Sequence, residues 1–188
     1  LLPTDAEEER SMNRIHTFLA ATAVAVAICP AALADVPPAK NFVAHLSGSE
    51  EVPARETLAA GQAVFRYDAA ADVLRYRLIV ANIDNVVAAH IHIAPAGVNG
   101  PVVAFLAGNF PPAGGRTDGV LATGTIGSGN LVGPLAGQDL AVLVESLRTG
   151  GAYVNVHTND GVAPTNTGPD DFPGGEVRGQ IRAAGATP

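Results

Sequence analysis

The sequence predicts an all-β domain, an antiparallel Greek-key-like β-sandwich or barrel of about eight strands with one short helix. Composition favours this class, because 21 glycines and 14 prolines are spread along 188 residues and charged residues make up only 15%. Such a chain suits short strands joined by many turns better than long surface helices. The second observation is a series of short segments in which apolar and polar residues alternate, as in strands with one face in the core.

The first 34 residues are predicted to lie outside this domain, as an over-extended start followed by a secretion signal, Met12–Ala34. Met12-Asn13-Arg14 is a short positive start, Phe18–Ile28 is an apolar run, and Ala32-Leu33-Ala34 fits a small-x-small cleavage site. The alternative, a membrane span, needs about 20 apolar residues, which is longer than this run. Residues 1–11 are acidic where a signal is positive. We expect a mature protein from Asp35 in the periplasm or outside the cell, with no transmembrane segment.

Composition also argues against a disulfide-stabilised domain and against a nucleic-acid-binding protein. The one cysteine, Cys29, lies inside the predicted signal, so the mature domain forms no disulfide. A lipoprotein cleavage before Cys29 is the weaker alternative, because Ile28 stands where a small residue is expected. The net charge is −7 and Lys40 is the only lysine, so the chain has no cationic cluster for nucleic-acid binding.

Residues 35–40 form a Pro-rich lead-in, residues 41–182 the domain, and residues 183–188 a mobile small-residue tail. In Gly61–Tyr67 and Val73–Ala81 apolar residues alternate with arginines, which predicts a hairpin with one face exposed to solvent. Apolar residues in Gln138–Arg148 recur at three- and four-residue spacing and predict the helix. Residues 108–119 and 159–174 are rich in Gly, Pro, Asp and Asn and predict surface loops. The remaining strands are predicted at Asn41–Ser47, Val87–Ile93, Pro101–Leu106, Leu121–Ile126, Ala152–Thr158 and Gly175–Arg182.

Histidines mark the candidate site. Strand alternation places His90 and His92 together on the polar face of VVAAHIHI. The same rule places His157 on the polar face of AYVNVHT, together with Tyr153 and Asn155. Histidines two residues apart on a strand lie about 7 Å apart along the chain, which lets both bind one ion. His157 would be the third ligand.

Three further residues are candidates for a direct or supporting role at this site: His45, Asn155 and Glu176. Imidazole ligands favour copper(II) or zinc over magnesium or calcium. The alternative is that these are ordinary polar residues on the exposed side of a sheet. Glu176 with Arg178, and Asp170 with Asp171, are expected to be structural ion pairs or loop anchors, and no pattern assigns a catalytic residue.

The loop Ala96–Gly100 follows the histidine strand directly. It is too short for a phosphate-binding loop, and we expect a tight turn in which Gly97 and Gly100 adopt positive φ.

Four segments resemble, in order, the characteristic blocks of the CHRD domain, the module named from chordin and found in many bacterial exported proteins. They are HLSGSEEVP (45–53), AAHIHIAPAGVNGPVV (88–103), YVNVHT (153–158) and GGEVRGQI (174–181). The resemblance covers roughly Asn41 to Arg182 and implies a β-rich extracellular domain, without implying an enzyme activity. His90, His92 and His157 fall inside the blocks.

The H-x-H strand with a distant third histidine also resembles the copper site of copper/zinc superoxide dismutases. The bridging histidine, zinc-ligand cluster and disulfide of those enzymes have no counterparts here, so dismutase activity does not follow.

Three functions are therefore open. The leading hypothesis is an exported, non-enzymatic binding module that holds copper or zinc through His90, His92 and His157. The second is a redox or hydrolytic metalloenzyme that uses the same histidines, with an acid or base such as Glu176. The third is a structural or adhesive module without metal, whose loops bind an extracellular protein or glycan.

Overall fold

The computed structural model describes residues 40–185, which form one antiparallel β-structure with one α-helix in that range. The strands are β1 (Asn41–Ser47), β2 (Ala60–Asp68), β3 (Val73–Asp84), β4 (Val86–Ile93), β5 (Val102–Ala107), β6 (Arg116–Ile126), β7 (Ala152–Thr158), β8 (Val177–Gln180) and β9 (Arg182–Ala183). The helix α1 spans Leu140–Arg148, and short 3-10 helices lie at Gly48–Glu50, Ser128–Asn130 and Gly133–Leu135. The predicted start segment and signal lie outside the described residues.

The strands form one sheet in the order β5-β4-β7-β8-β1-β2-β3-β6, while the short β9 pairs with β1. Neighbours are antiparallel throughout, and several are distant in sequence, as in β4 beside β7 and β3 beside β6. The sheet curls into a nearly closed barrel of eight strands. The predicted all-β antiparallel class is confirmed, and the barrel is the form that it takes.

Apolar residues at alternate positions fill the barrel. In β1, Phe42, Ala44 and Leu46 are buried whereas His45 between them is exposed. Burial of each large apolar side chain contributes about 1.5–3 kcal/mol, so this alternation fixes which face of each strand turns inward. The predicted hairpin is β2–β3, with its arginines outside.

The helix also follows its predicted pattern. Leu140, Leu143, Val144 and Leu147 are all buried. The helix begins two residues later than predicted, because Asp139 has extended backbone angles and occupies the N-cap position.

Strands β3 and β6 are longer than predicted, and part of the predicted loop 108–119 is strand. The register of this pair shifts between Leu78 and Ile79 and again between Val80 and Ile83. Such bulges add a residue and break the two-residue period of apolar and polar positions. The alternation in the sequence therefore does not indicate these parts of the strands. Beyond the bulges Arg116 donates to Asn82 Oδ1 and Asp84 Oδ2, joining the two extensions.

At the carboxyl end the predicted single strand is divided into β8 and β9. Ala183, assigned from sequence to a mobile tail, pairs with Phe42 and packs against the core. The prediction for that residue was wrong, because a segment of small residues carries no sign of the strand edge that it meets.

Candidate metal centre

Three histidines converge on the β4–β7 strand pair. The register places His90 opposite Asn155 and His92 opposite Tyr153, with Ala88 opposite His157. Side chains of directly paired residues share a face of the sheet, so all three imidazoles lie on the side away from the barrel interior. One ring nitrogen from each histidine lies within 4.8 Å of the other two. The predicted grouping of His90, His92 and His157 is therefore present.

Backbone carbonyls orient two of the rings. His92 Nδ1 lies 2.9 Å from Gly100 O, and His157 Nδ1 lies 2.9 Å from Pro173 O. A carbonyl oxygen only accepts, so each Nδ1 carries the proton and each Nε2 presents a lone pair. His92 Nε2 is buried without a hydrogen-bond partner, and His157 Nε2 lies 3.1 Å from His90 Nδ1. The two carbonyls thus leave Nε2 of His92 and Nε2 of His157 as lone-pair atoms, and His90 Nδ1 donates its proton to His157 Nε2.

Burial keeps the cluster neutral. Desolvation is the main cause that lowers the pKa of His90 and of His157 to about 4. The neighbouring imidazoles lower the pKa of His90 further, whereas for His157 the hydrogen bond to Pro173 opposes the change and His92 adds to it. Desolvation also lowers the pKa of His92, opposed by its hydrogen bond to Gly100. Neutral imidazole is the form that binds a metal ion, so all three rings are in that form at neutral pH.

Aromatic rings flank the histidines. The Tyr153 ring stacks on His92, and the Arg178 guanidinium lies 3.5 Å from the Tyr153 ring centre. Phe105 meets His90 edge to face with ring centroids 4.8 Å apart, and it is 58% exposed. The cluster is therefore packed on the Tyr153 side and meets the surface near Phe105.

The expected exposure of this face is corrected by the structure. All seven residues of β7 are buried, so its polar face is covered as well as its apolar face. The cover comes from outside the strand: Gly100 and Pro173 contact the histidines, and Phe172 and Asp171 of the predicted surface loop are buried. Alternation along one strand shows which residues share a face, but not whether a distant loop covers it.

The three supporting candidates are placed differently. His45 is exposed on β1 and does not belong to the group formed by the other three histidines. Asn155 is 3% exposed and pairs with His90 across the strands, and its Oδ1 has no hydrogen-bond partner.

Glu176, the third, is fully buried and anchors loops. It accepts hydrogen bonds from Thr57 Oγ1, Thr158 Oγ1 and the Asp170 backbone N–H. We expected Glu176 either to form an ion pair with Arg178 or to anchor a loop, and its contacts are those of a loop anchor. Arg178 instead donates to Asn99 Oδ1 and Pro95 O.

Gly97 has the predicted positive φ, 77°. For Gly100 the prediction was wrong, because it is not among the positive-φ glycines. A Cβ there would collide with the Ile93 carbonyl, so this glycine is required for close approach of the turn to β4. That approach carries the Gly100 carbonyl to His92.

One buried residue of this region was not predicted to have a role. Glu51 is 6% exposed with Oε1 unpartnered, and burial raises its pKa to about 7 although Arg178 and Arg55 oppose that change. The only sequence signal is that it lies in the HLSGSEEVP block.

No helix within residues 40–185 is long and apolar enough to cross a membrane. No curated protein sequence matches the chain at a significant level. The model of the CHRD domain family matches residues 42–181, which include all three histidines and the strands that carry them. The chain belongs to the CHRD domain family.

Proposed function

We propose that the chain is an exported CHRD-type binding module that holds one copper(II) or zinc ion through His90, His92 and His157. The observation that carries this proposal is the buried Nε2 of His92, which has no hydrogen-bond partner although it belongs to a group of three histidines whose ligand atoms lie within 4.8 Å of one another. An imidazole nitrogen without a partner in a buried place costs free energy. A metal ion would supply that partner.

The donor set fits such an ion. Three neutral imidazoles are ligands that zinc and copper(II) accept at about 2.0–2.1 Å. The carbonyls of Gly100 and Pro173 hold two rings in the required tautomer, as supporting hydrogen bonds do in metal sites. The His90–His157 hydrogen bond would be exchanged for two metal bonds, with the proton leaving His90 Nδ1 and Nε2 of the same ring protonated instead.

Export is a separate part of the proposal. It is supported by the Met12–Ala34 signal pattern and by the absence of cysteine from the residues after it. The test is the amino-terminal sequence of the protein recovered from culture medium or periplasm, which we expect to begin at Asp35. Recovery only in the cytoplasm with an intact start would contradict it.

The metal proposal is tested by isothermal titration of untagged protein with Cu²⁺ and with Zn²⁺. We expect one ion per chain with micromolar or tighter affinity, and loss of binding in His90→Ala and His92→Ala. His45→Ala is the matched control, because His45 is exposed and outside the group. Absence of saturable uptake of either ion would remove the proposal and leave a metal-free extracellular module, stable in chelator, as the better account.

A metalloenzyme is the second candidate, favoured by one observation. Three protein ligands leave a coordination position open, and His90 lies beside the exposed Phe105. Against it, Glu176 is already bound by three donors, which leaves it unsuited to move a proton. Turnover of superoxide or an ester by metal-loaded protein, lost in His157→Ala, would establish the enzyme over the binding module.

A further inference from the structure

A groove of about 620 Å³ lies on the β1–β2–β3 part of the barrel. Its walls include Val43, Val64, Arg66, Arg75 and Arg77, and none of the three histidines lines it. We call it the basic groove. Val64 is 38% exposed, so the groove presents apolar surface to solvent beside its arginines.

The register concentrates positive charge there. Arg66 pairs directly with Arg75, and Arg77 pairs with Val64, which pairs in turn with Val43. Arg182 of β9 pairs with Val43 on the other side. Four exposed arginines therefore border one face, in a chain whose net charge is −7.

Acidic partners do not account for this cluster. Within residues 40–185 the one ion pair of these arginines is Arg75 with Asp68, at 3.9 Å. Asp68 Oδ1 meanwhile accepts from the Ala70 and Ala71 backbone in the β2–β3 turn. A like-charged pair directly opposite on neighbouring strands is destabilising, so the Arg66–Arg75 pair is not there for the stability of the hairpin.

We propose that the basic groove binds a single-chain anionic amphiphile, a fatty carboxylate. Its alkyl chain lies along Val43 and Val64, which we call the valine floor, and its head group lies on the arginines. The volume lies within the about 300–1,000 Å³ of small-molecule sites. Arginine suits the rim because its guanidinium binds a carboxylate through two parallel hydrogen bonds while its methylene stem covers apolar surface.

Charge and shape together select this ligand. A neutral lipid would leave Arg66 and Arg77, which line the groove and have no acidic partner among residues 40–185, without a counter-charge. An anion without a chain would leave the valine floor in water. The site is separate from the histidine cluster, so its test is independent of any metal.

The test is isothermal titration of the full chain with dodecanoate below its micelle concentration, beside dodecyltrimethylammonium and dodecyl maltoside. We expect saturable one-to-one binding of dodecanoate, weaker by about tenfold or more in the double variant Arg66→Gln/Arg77→Gln. Val64→Ser should weaken it several-fold through the chain. Arg116→Gln is the matched control, because Arg116 is exposed and paired with Asp118 elsewhere, and it should bind as the unchanged protein does.

Stability separates lost binding from misfolding. Arg66→Gln removes the repulsion with Arg75, so its thermal midpoint should equal or exceed that of the unchanged protein. Equal affinity for the cationic amphiphile, or unchanged dodecanoate binding in the double variant, would overturn the proposal. So would binding confined to phosphatidylglycerol vesicles, which would assign the face to a membrane surface.

Discussion

The Tyr153 ring lies nearly parallel to the His92 ring, with centroids 4.8 Å apart and planes inclined by 14°. Its hydroxyl accepts a hydrogen bond from the Gly100 backbone N–H, and the Gly100 carbonyl accepts from His92 Nδ1. Tyr153 therefore holds His92 in two ways, by direct stacking and by placing the carbonyl that sets its tautomer.

This relationship predicts that Tyr153→Leu weakens metal binding although Tyr153 is not a ligand. We expect a loss of affinity of about tenfold, in the range for groups that orient ligands. Tyr153→Phe keeps the stack and should lose less. Metal titration measures both, with Tyr76→Phe as control, since the Tyr76 hydroxyl donates to Leu106 O and not to the turn that orients His92. Equal affinity in the Leu variant would show that stacking has no part in ligand orientation.

The second prediction concerns Gly175, which has φ of 127°. A Cβ there would meet the Asn155 side chain and lie 2.7 Å from Glu51 Oε1. Gly175→Ala should lower the free energy of unfolding by about 1–3 kcal/mol, from backbone strain and displaced buried groups. Urea denaturation measures the change. Gly168→Ala is the control, because its Cβ would meet nothing within 4 Å, and a similar loss there would refute this reading.

The third prediction follows from Glu51, whose pKa is raised from 4.5 to about 7 by burial. The folded state favours the protonated acid. The contribution of Glu51 to the free energy of unfolding is therefore complete below pH 4.5 and is lost as pH rises through 7. Glu51→Gln mimics the protonated form. It should match the unchanged protein near pH 4 and exceed its stability near pH 8, by at most about 3 kcal/mol.

Urea denaturation across pH 4 to 8 measures that difference. The exposed Glu56 supplies the control, and Glu56→Gln should show no comparable pH-dependent gain. A constant offset between Glu51→Gln and the unchanged protein across the range would mean that Glu51 is charged throughout.

The fourth prediction concerns acid stability without metal. The pKa of His90 and of His157 is lowered from 6.5 to about 4, chiefly by desolvation. The folded state favours neutral rings, so their stabilisation is complete above pH 6.5 and is lost as pH falls through 4.

In the presence of a chelator, the unchanged protein should lose more stability between pH 6.5 and 4 than the double variant His90→Gln/His157→Gln does. Thermal unfolding measures this difference. His45→Gln, altered at an exposed histidine, should follow the unchanged protein. Parallel pH profiles for the double variant and the unchanged protein would contradict neutral burial of the pair.

Sequence alone determined the all-β class, most strand positions, the helix and the sharing of one face by His90 and His92, because each depends on local periodicity. It also singled out His157, since alternation within β7 separates polar from apolar residues. The extensions of β3 and β6 escaped it, because bulges interrupt the period that reveals a strand.

Only the tertiary structure decided that β7 lies beside β4, that loops cover the polar face, and that Glu51 is buried near Asn155. It also decided that the arginines of β2 and β3 line one groove. Burial and convergence depend on which distant segments meet, and no spacing along the chain records that. The residue types of the site are thus local facts of the sequence, whereas their tautomers, neutrality and shared focus come from the folded barrel.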